Sequence, residues 1–198
     1  GDSINPVHPL VRSTGYEVGL RSAIIPGLQA SFALFRLDMA SELLFVGDAG
    51  TTEASRPSRR YGVEWTNLYV LADWLAIDAD LAWSHARFRD HDPLVGDYIP
   101  GAVSTTANIG ITLDHLGPWF GSLRLRYFGP RPLIEDNTVR SASSALTNLR
   151  VGYRLAPRTQ LALDVYNLFD RKVNDIEYWY ESQLPGETVA VVDRHVHP

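Results

Sequence analysis

Apolar and polar residues alternate every second position along most of this chain, and helical periodicity is poor. The stretch from Gln160 shows the pattern well. Leu161, Leu163, Val165 and Phe169 fall on one face of an extended strand, and Gln160, Ala162, Asp164 and Tyr166 on the other. On this reading Asn167 sits on the apolar face near the strand's upper end, just before Asp170-Arg171-Lys172.

Eight such strands are expected. The first covers about residues 12–24, with Tyr16, Val18 and Leu20 opposed to Glu17, Gly19 and Arg21. The second covers about 28–46, where Ala33, Phe35, Leu37 and Met39 oppose Arg36 and Asp38. A third, about 59–71, sets Tyr61, Val63 and Trp65 against Arg60, Gly62 and Glu64. The cleanest alternation is in the fourth, about 74–89, where Leu75, Ile77, Ala79, Leu81 and Trp83 oppose Asp78, Asp80 and Ser84. The rest are placed near 103–114, 119–128, 145–155 and from 160 onward; residues 173–198 form a long terminal segment, extended in part.

The connections alternate strictly. Short turns fall near residues 26, 72, 117 and 157; long polar loops fall near 52, 96 and 137, with a fourth after 170. Short links at one end and long loops at the other are the layout of an outer-membrane barrel. The strands, at roughly 10–18 residues, exceed the five or six typical of globular sheets. No apolar run reaches the roughly 18 residues of a transmembrane helix, which leaves strand spans open.

Composition narrows the classes. A chain of 198 residues with 45% hydrophobic content is not disordered, and a net charge of −5 gives no nucleic-acid footprint. There is no cysteine, hence no disulfide framework and no thiol nucleophile. After Gly1 no basic-then-apolar leader pattern follows. The two faces admit two readings. Either a soluble antiparallel sheet turns its polar face to water, or a barrel turns its apolar face to lipid and its charges to a watery lumen. Strand length and loop asymmetry favour the barrel. Aromatics near strand ends, such as Trp65, Trp83, Trp119 and Tyr127, fit headgroup level.

The block LALDVYNLFDRKVNDIEYWYESQLPGE resembles the end of TonB-dependent outer-membrane receptors, whose penultimate barrel strand commonly ends in an N-L-F-D-like sequence, here Asn167 to Asp170. GDAGTTEASRPSRRYGVEW, DADLAWSHARFRD, GDYIPGAV and LRLRYFGPRPLIEDN are similar, in the same order, to further pieces of that barrel. The resemblance implies an all-β, antiparallel transmembrane β-barrel fragment of about eight meandering strands, strands 14–21 of a 22-stranded barrel. It implies residues 1–198 as a partial barrel domain, with the plug domain and final strand outside the chain. It also implies active uptake of a scarce nutrient such as a ferric siderophore or similar metal chelate, a bacterial outer-membrane location, and contact with lipid. The other partners implied are the plug and remaining strands of the same receptor, and TonB through an N-terminal region. An alternative is a self-contained eight-stranded barrel, either a small outer-membrane protein or a lipocalin-like binder.

Candidate chemistry is sparse. His195-Val196-His197 places two imidazoles on one strand face, short of a metal site's third ligand. Asp90-His91-Asp92 lacks the spacing of a calcium loop. Asp78 and Asp80 share a strand face, as paired carboxylates of a hydrolase would, but lumen ion pairing is the simpler role. Ser84 and His85 point to opposite faces and form no dyad. No catalytic residue and no cofactor is expected. The ligand-facing candidates are loop arginines: Arg56 and Arg59 near the third strand, and Arg131 and Arg140 flanking Glu135-Asp136. Guanidinium groups suit an anionic chelate, and equally suit structural ion pairs.

Overall fold

The computed structural model describes residues 10–46, 51–183 and 188–197. None of these is helical. The strands are β1 (Ser13–Ser22), β2 (Leu28–Met39), β3 (Leu43–Val46), β4 (Thr51–Ala54), β5 (Ser58–Ala72), β6 (Leu75–Asp92), β7 (Gly96–Tyr98), β8 (Thr105–Leu116), β9 (Trp119–Phe128), β10 (Ser144–Ala156), β11 (Thr159–Val165), β12 (Ile176–Ser182) and β13 (Val191–His197).

Eight strands form one antiparallel meander in the order β1-β2-β5-β6-β8-β9-β10-β11, with the short β7 paired to β6. These are the eight strands that the alternation predicts. The sheet is open: β1 and β11 each have one neighbour and do not pair with each other. Two hairpins, β3–β4 and β12–β13, stand apart from it at the end where the long loops lie.

Turn chemistry explains the short links. In Ile25-Pro26-Gly27-Leu28 the amide of Leu28 donates to the Ile25 carbonyl at 3.0 Å. Proline presets φ at the second position of the turn, and Gly27 adopts φ 79° at the third. At Gly27 the Val70 carbonyl also comes too close for a Cβ.

The register assigns the faces. Leu34 pairs with Val63 and Val63 with Trp83; Ile77 pairs with Ile111 and Ile111 with Leu123; Val151 pairs with Leu163. These side chains share one apolar face. Glu64, Asp78, Asp80, Arg124, Arg150 and Asp164 share the other.

Two expectations are corrected. The apolar set of the second strand belongs to the polar face, because Phe35 pairs with Gly62 and Leu37 with Arg60. Its outward residues are Phe32 and Leu34 below, then Arg36 and Asp38. Sequence alternation defines two faces but not which is which; on the inward face the Phe35 ring lies over Gly62, whose missing side chain leaves it room. The strand from Gln160 stops at Val165. Asn167 has φ 51°, outside any strand, and its side chain closes a loop: Nδ2 donates to the Arg171 carbonyl and Oδ1 accepts the Arg171 amide, both at 3.0 Å.

The core sits at the loop end. Ala86, Phe88 and Ile99 are buried together with Leu44 and Ala102 packed against them, and Leu133 is buried nearby. Below this level the wall has no buried large apolar side chain among the described residues.

Candidate functional site

Three long connections and the β12–β13 hairpin gather at one end of the sheet. Polar contacts hold them there. Glu42 is 5% exposed; it accepts the Ser58 hydroxyl and both Nε and Nη2 of Arg60, the latter at 2.8 Å. Glu177, with a side chain 2% exposed, accepts Arg194 Nη1 at 2.9 Å and the Ala142 amide at 3.2 Å, tying the hairpin to the 129–143 connection. Arg194 Nη2 donates to the Arg140 carbonyl at 3.0 Å.

The four candidate arginines do not converge. Arg56 spans three segments: it donates to the carbonyls of Asp90 and Gly96 at 3.0 Å, pairs with Glu135, and lies 4.3 Å over the Phe88 ring. Arg59, three positions on, faces outward to Asp38 at 2.7 Å, while Arg60 faces inward to Glu42. Arg131 donates to the Asp175 carbonyl at 2.9 Å, and Arg140 donates to Asn137 Oδ1 and to the Pro130 carbonyl. Each serves an internal contact. Glu135, expected between Arg131 and Arg140, pairs with Arg56 instead.

A cleft of 680 Å³ opens among these segments. Leu43 and Val95 contribute apolar surface, Arg131 and Glu135 polar groups, and Tyr178 and Trp179 aromatic rings. Tyr180 also lines it and stacks on His195 with ring centroids 3.8 Å apart. The aromatic run Tyr178-Trp179-Tyr180 went unmarked in the sequence, although three consecutive rings in a polar tail are a usable signal. Next to the cleft, the amide and hydroxyl of Thr138 donate to Asp136 at 2.9 and 2.8 Å and hold its carboxyl below the usual carboxylate range.

The polar face carries a second concavity of 630 Å³ toward the short-turn end, lined by Arg21, Gln29, Thr66, Asp78 and Asp80. Arg150 and Asp164 pair across the neighbouring strands β10 and β11, but two other ion pairs on this face skip a strand. Asp78 of β6 reaches Arg124 of β9 at 3.1 Å across Gly110 of β8, where an added Cβ would lie 2.5 Å from the Asp78 carboxylate. Arg154 of β10 reaches Asp114 of β8 at 2.6 Å and lies over the Phe120 ring of β9. Asp80 has no ion-pair partner among the described residues. The remaining motifs resolve locally. Asp92 Oδ1 accepts the Leu94 amide at 2.9 Å, and the Ser84 hydroxyl donates to the Val103 carbonyl. His195 stacks on Tyr180; the His197 side chain lies outside the described residues. No group of three metal-ligating side chains occurs among the described residues.

The family model described as TonB dependent receptor-like, beta-barrel matches residues 10–168. The chain belongs to this family. It is a family of transport receptors, not of enzymes. A search of curated protein sequences gives no match. Among solved structures, the ferric yersiniabactin uptake receptor FyuA from Yersinia pestis aligns with a TM-score of 0.68 and 20% identity, covering 93% of this chain and 28% of that one. The copper transporter OprC aligns with 0.63 and 23%, covering 81% and 25%. The ferripyoverdine receptor of the outer membrane of Pseudomonas aeruginosa aligns with 0.60 and 14%, covering 93% and 26%. At these identities the likeness is one of fold. This TonB-dependent receptor chain thus spans about a quarter of the length of the structures it matches, and its loop-end cleft lies where long connections of the receptor barrel meet.

Proposed function

We propose that this chain is a section of the barrel wall of an outer-membrane TonB-dependent receptor that takes up a scarce nutrient, a ferric siderophore or similar metal chelate. The observation that carries the reading is the joining of three long connections and a hairpin, at one end of a two-faced meander, around a cleft with aromatic lining. Loops braced on a rigid sheet are where recognition is built. Aromatic rings offer planar, largely apolar contact to a chelate whose own charges are folded around its metal. The loop arginines act as braces of that cleft rather than as direct ligands.

Membrane placement has its own support. Tyr61 and Tyr69 share the apolar face of β5, as Trp119 and Tyr127 share that of β9. Eight residues at ~3.4 Å each span ~27 Å along the strand. At a tilt of ~40° that is ~21 Å of height, close to the ~25 Å apolar band of such barrels. The open sheet argues against a self-contained eight-stranded barrel, since closure would pair β1 with β11. The plug, the remaining strands and TonB are then the partners this wall requires.

The test is radio-iron uptake by iron-limited cells carrying the complete reading frame, offered a panel of ferric chelates. Uptake of one chelate, abolished by deleting the segment 10–168, is the expected result. A reading frame that encodes no further strands or plug would overturn the proposal and restore the small-barrel alternative.

A further inference from the structure

The outward face of β6 carries a stripe that neither cleft uses. From Trp83 onward its odd positions are His85, Arg87, Arg89 and His91. Residues two apart on a strand share a face. The register widens the stripe: Arg59 of β5 stands opposite Arg87, Tyr61 opposite His85, and Arg36 of β2 opposite Tyr61. Two carboxylates share the patch. Asp38 accepts Arg36 at 2.8 Å and Arg59 at 2.7 Å; Asp97 lies 3.4 Å from Arg87 and 4.0 Å from His91. Four arginines against two acids leave the patch positive with both histidines neutral, in a chain whose net charge is −5.

Three features of the patch point to an absent anion. Arg59 and Arg87 are directly paired across strands, and their like charges are offset only in part: Asp38 serves Arg59 and Arg36 together, and Asp97 serves Arg87, which also lies 3.2 Å over the Tyr98 ring. Arg89 is exposed and makes no side-chain hydrogen bond or ion pair among the described residues. The patch also begins at an aromatic band, with the Tyr61 and Trp83 rings 6.4 Å apart edge to face. Beyond that band on the other side, Leu34, Val63 and Leu81 face outward. Aromatic rings of this kind sit at headgroup level, so the arginines stand where phosphates of the bilayer surface lie. Guanidinium groups bind phosphate through paired, charge-assisted hydrogen bonds.

We propose that Arg36, Arg59, Arg87 and Arg89 form a binding site for a phosphorylated lipid headgroup, whose acyl chains lie along Leu34, Val63 and Leu81. This inference rests on the membrane placement proposed above. The sheet would hold an annular lipid at a fixed position, with Asp38 and Asp97 orienting the arginines rather than neutralising them.

The receptor encoded by the complete reading frame, purified in mixed micelles, is titrated with bisphosphorylated lipid A, with the same lipid stripped of phosphate, and with inorganic phosphate. The phosphorylated lipid should bind roughly tenfold tighter than the stripped one, as expected for at least one charge-assisted contact. Inorganic phosphate at equal concentration should not displace it. The R59Q/R89Q double variant should lose the preference, while R59K/R89K, which keeps the charge and controls for folding, should keep most of it. Equal binding of both lipids, an unchanged preference in R59Q/R89Q, or displacement by free phosphate would overturn the site. Quenching of Trp65 and Trp83 by brominated acyl chains tests placement separately. Absence of quenching removes the membrane reading and this inference together; quenching without phosphate preference removes this inference alone.

Discussion

Phe88 and Leu163 belong to the same sheet and have opposite surroundings. Phe88, at the loop end of β6, is 4% exposed under Arg56 and against Ile99; Leu163, midway along β11, is 64% exposed. The loop end carries its own core and its own ion pairs to the buried carboxylates of Glu42 and Glu177, so its stability comes from contacts within the chain. The wall below has ladder hydrogen bonds and two faces, one apolar and one charged, and little else. A wall of this kind takes its stability from what surrounds it: lipid outside, and further protein inside and at its edges.

Several substitutions would break that contrast. The largest effect is expected for Phe88→Ala, which leaves a cavity in the small core and removes the surface that Arg56 covers. A loss of about 3 kcal/mol is expected, confined to the loop end. Hydrogen exchange by mass spectrometry should show faster exchange in the 93–104 and 129–143 connections with β8 and β9 unchanged. A uniform loss along β5 to β9 would erase the distinction between cap and wall. Glu177→Ala comes next. It leaves Arg194 and the Ala142 amide without their shared acceptor, and about 2 kcal/mol of local stability should go with it. Limited proteolysis should then cut the β12–β13 hairpin early while the eight-stranded sheet survives.

Much of this layout is legible in the chain. Turn signals such as Ile25-Pro26-Gly27 and the period-2 alternation of Leu75 to Trp83 place the meander within a few residues, because both depend on local geometry alone. The cap is less legible. Glu42 and Glu177 are ordinary acids in polar stretches, and only the docking of distant segments buries them. The arginine candidates show the same limit from the other side. Arg56, Arg59 and Arg60 look like one basic cluster in sequence, yet strand alternation sends the last two to opposite faces and leaves Arg56 to brace the loops. Phe35, Leu37 and Met39 show a related limit: alternation cannot tell outward-facing from inward-facing apolar residues.

Smaller effects sharpen the picture on the wall side. Gly110→Ala displaces the Asp78 carboxylate and breaks its pair with Arg124. Because that pair is partly exposed, a loss under about 1 kcal/mol is expected, read as a small shift in the unfolding midpoint of the detergent-solubilised chain. A shift as large as that of Phe88→Ala would show that the wall has internal strength after all. The smallest effect belongs to Asp136. Its carboxyl is held below the ordinary range by Thr138, so its contribution is present above the unfolded carboxylate pKa of about 4 and lost as pH falls through the lower folded value. Protection of amides at 136–138 should therefore weaken on acidification from pH ~5 to ~3. Thr138→Ala, which removes the hydroxyl but keeps the amide donor, should reduce that pH dependence without abolishing it.

The strand-skipping ion pairs have a consequence for how the meander finds its alignment. A slip of one residue in any hairpin turns a whole strand inside out, and the two-faced pattern opposes it strongly. A slip of two residues keeps each side chain on the face it started from, so the pattern is blind to it. Asp78 with Arg124 across Gly110, and Asp114 with Arg154 over Phe120, are not blind. Each pair meets only if two successive strand pairings are both in step. Between them they span β6 to β10, so these weak, half-exposed contacts act as a proofreading code for the even-numbered errors that hydrophobicity lets pass.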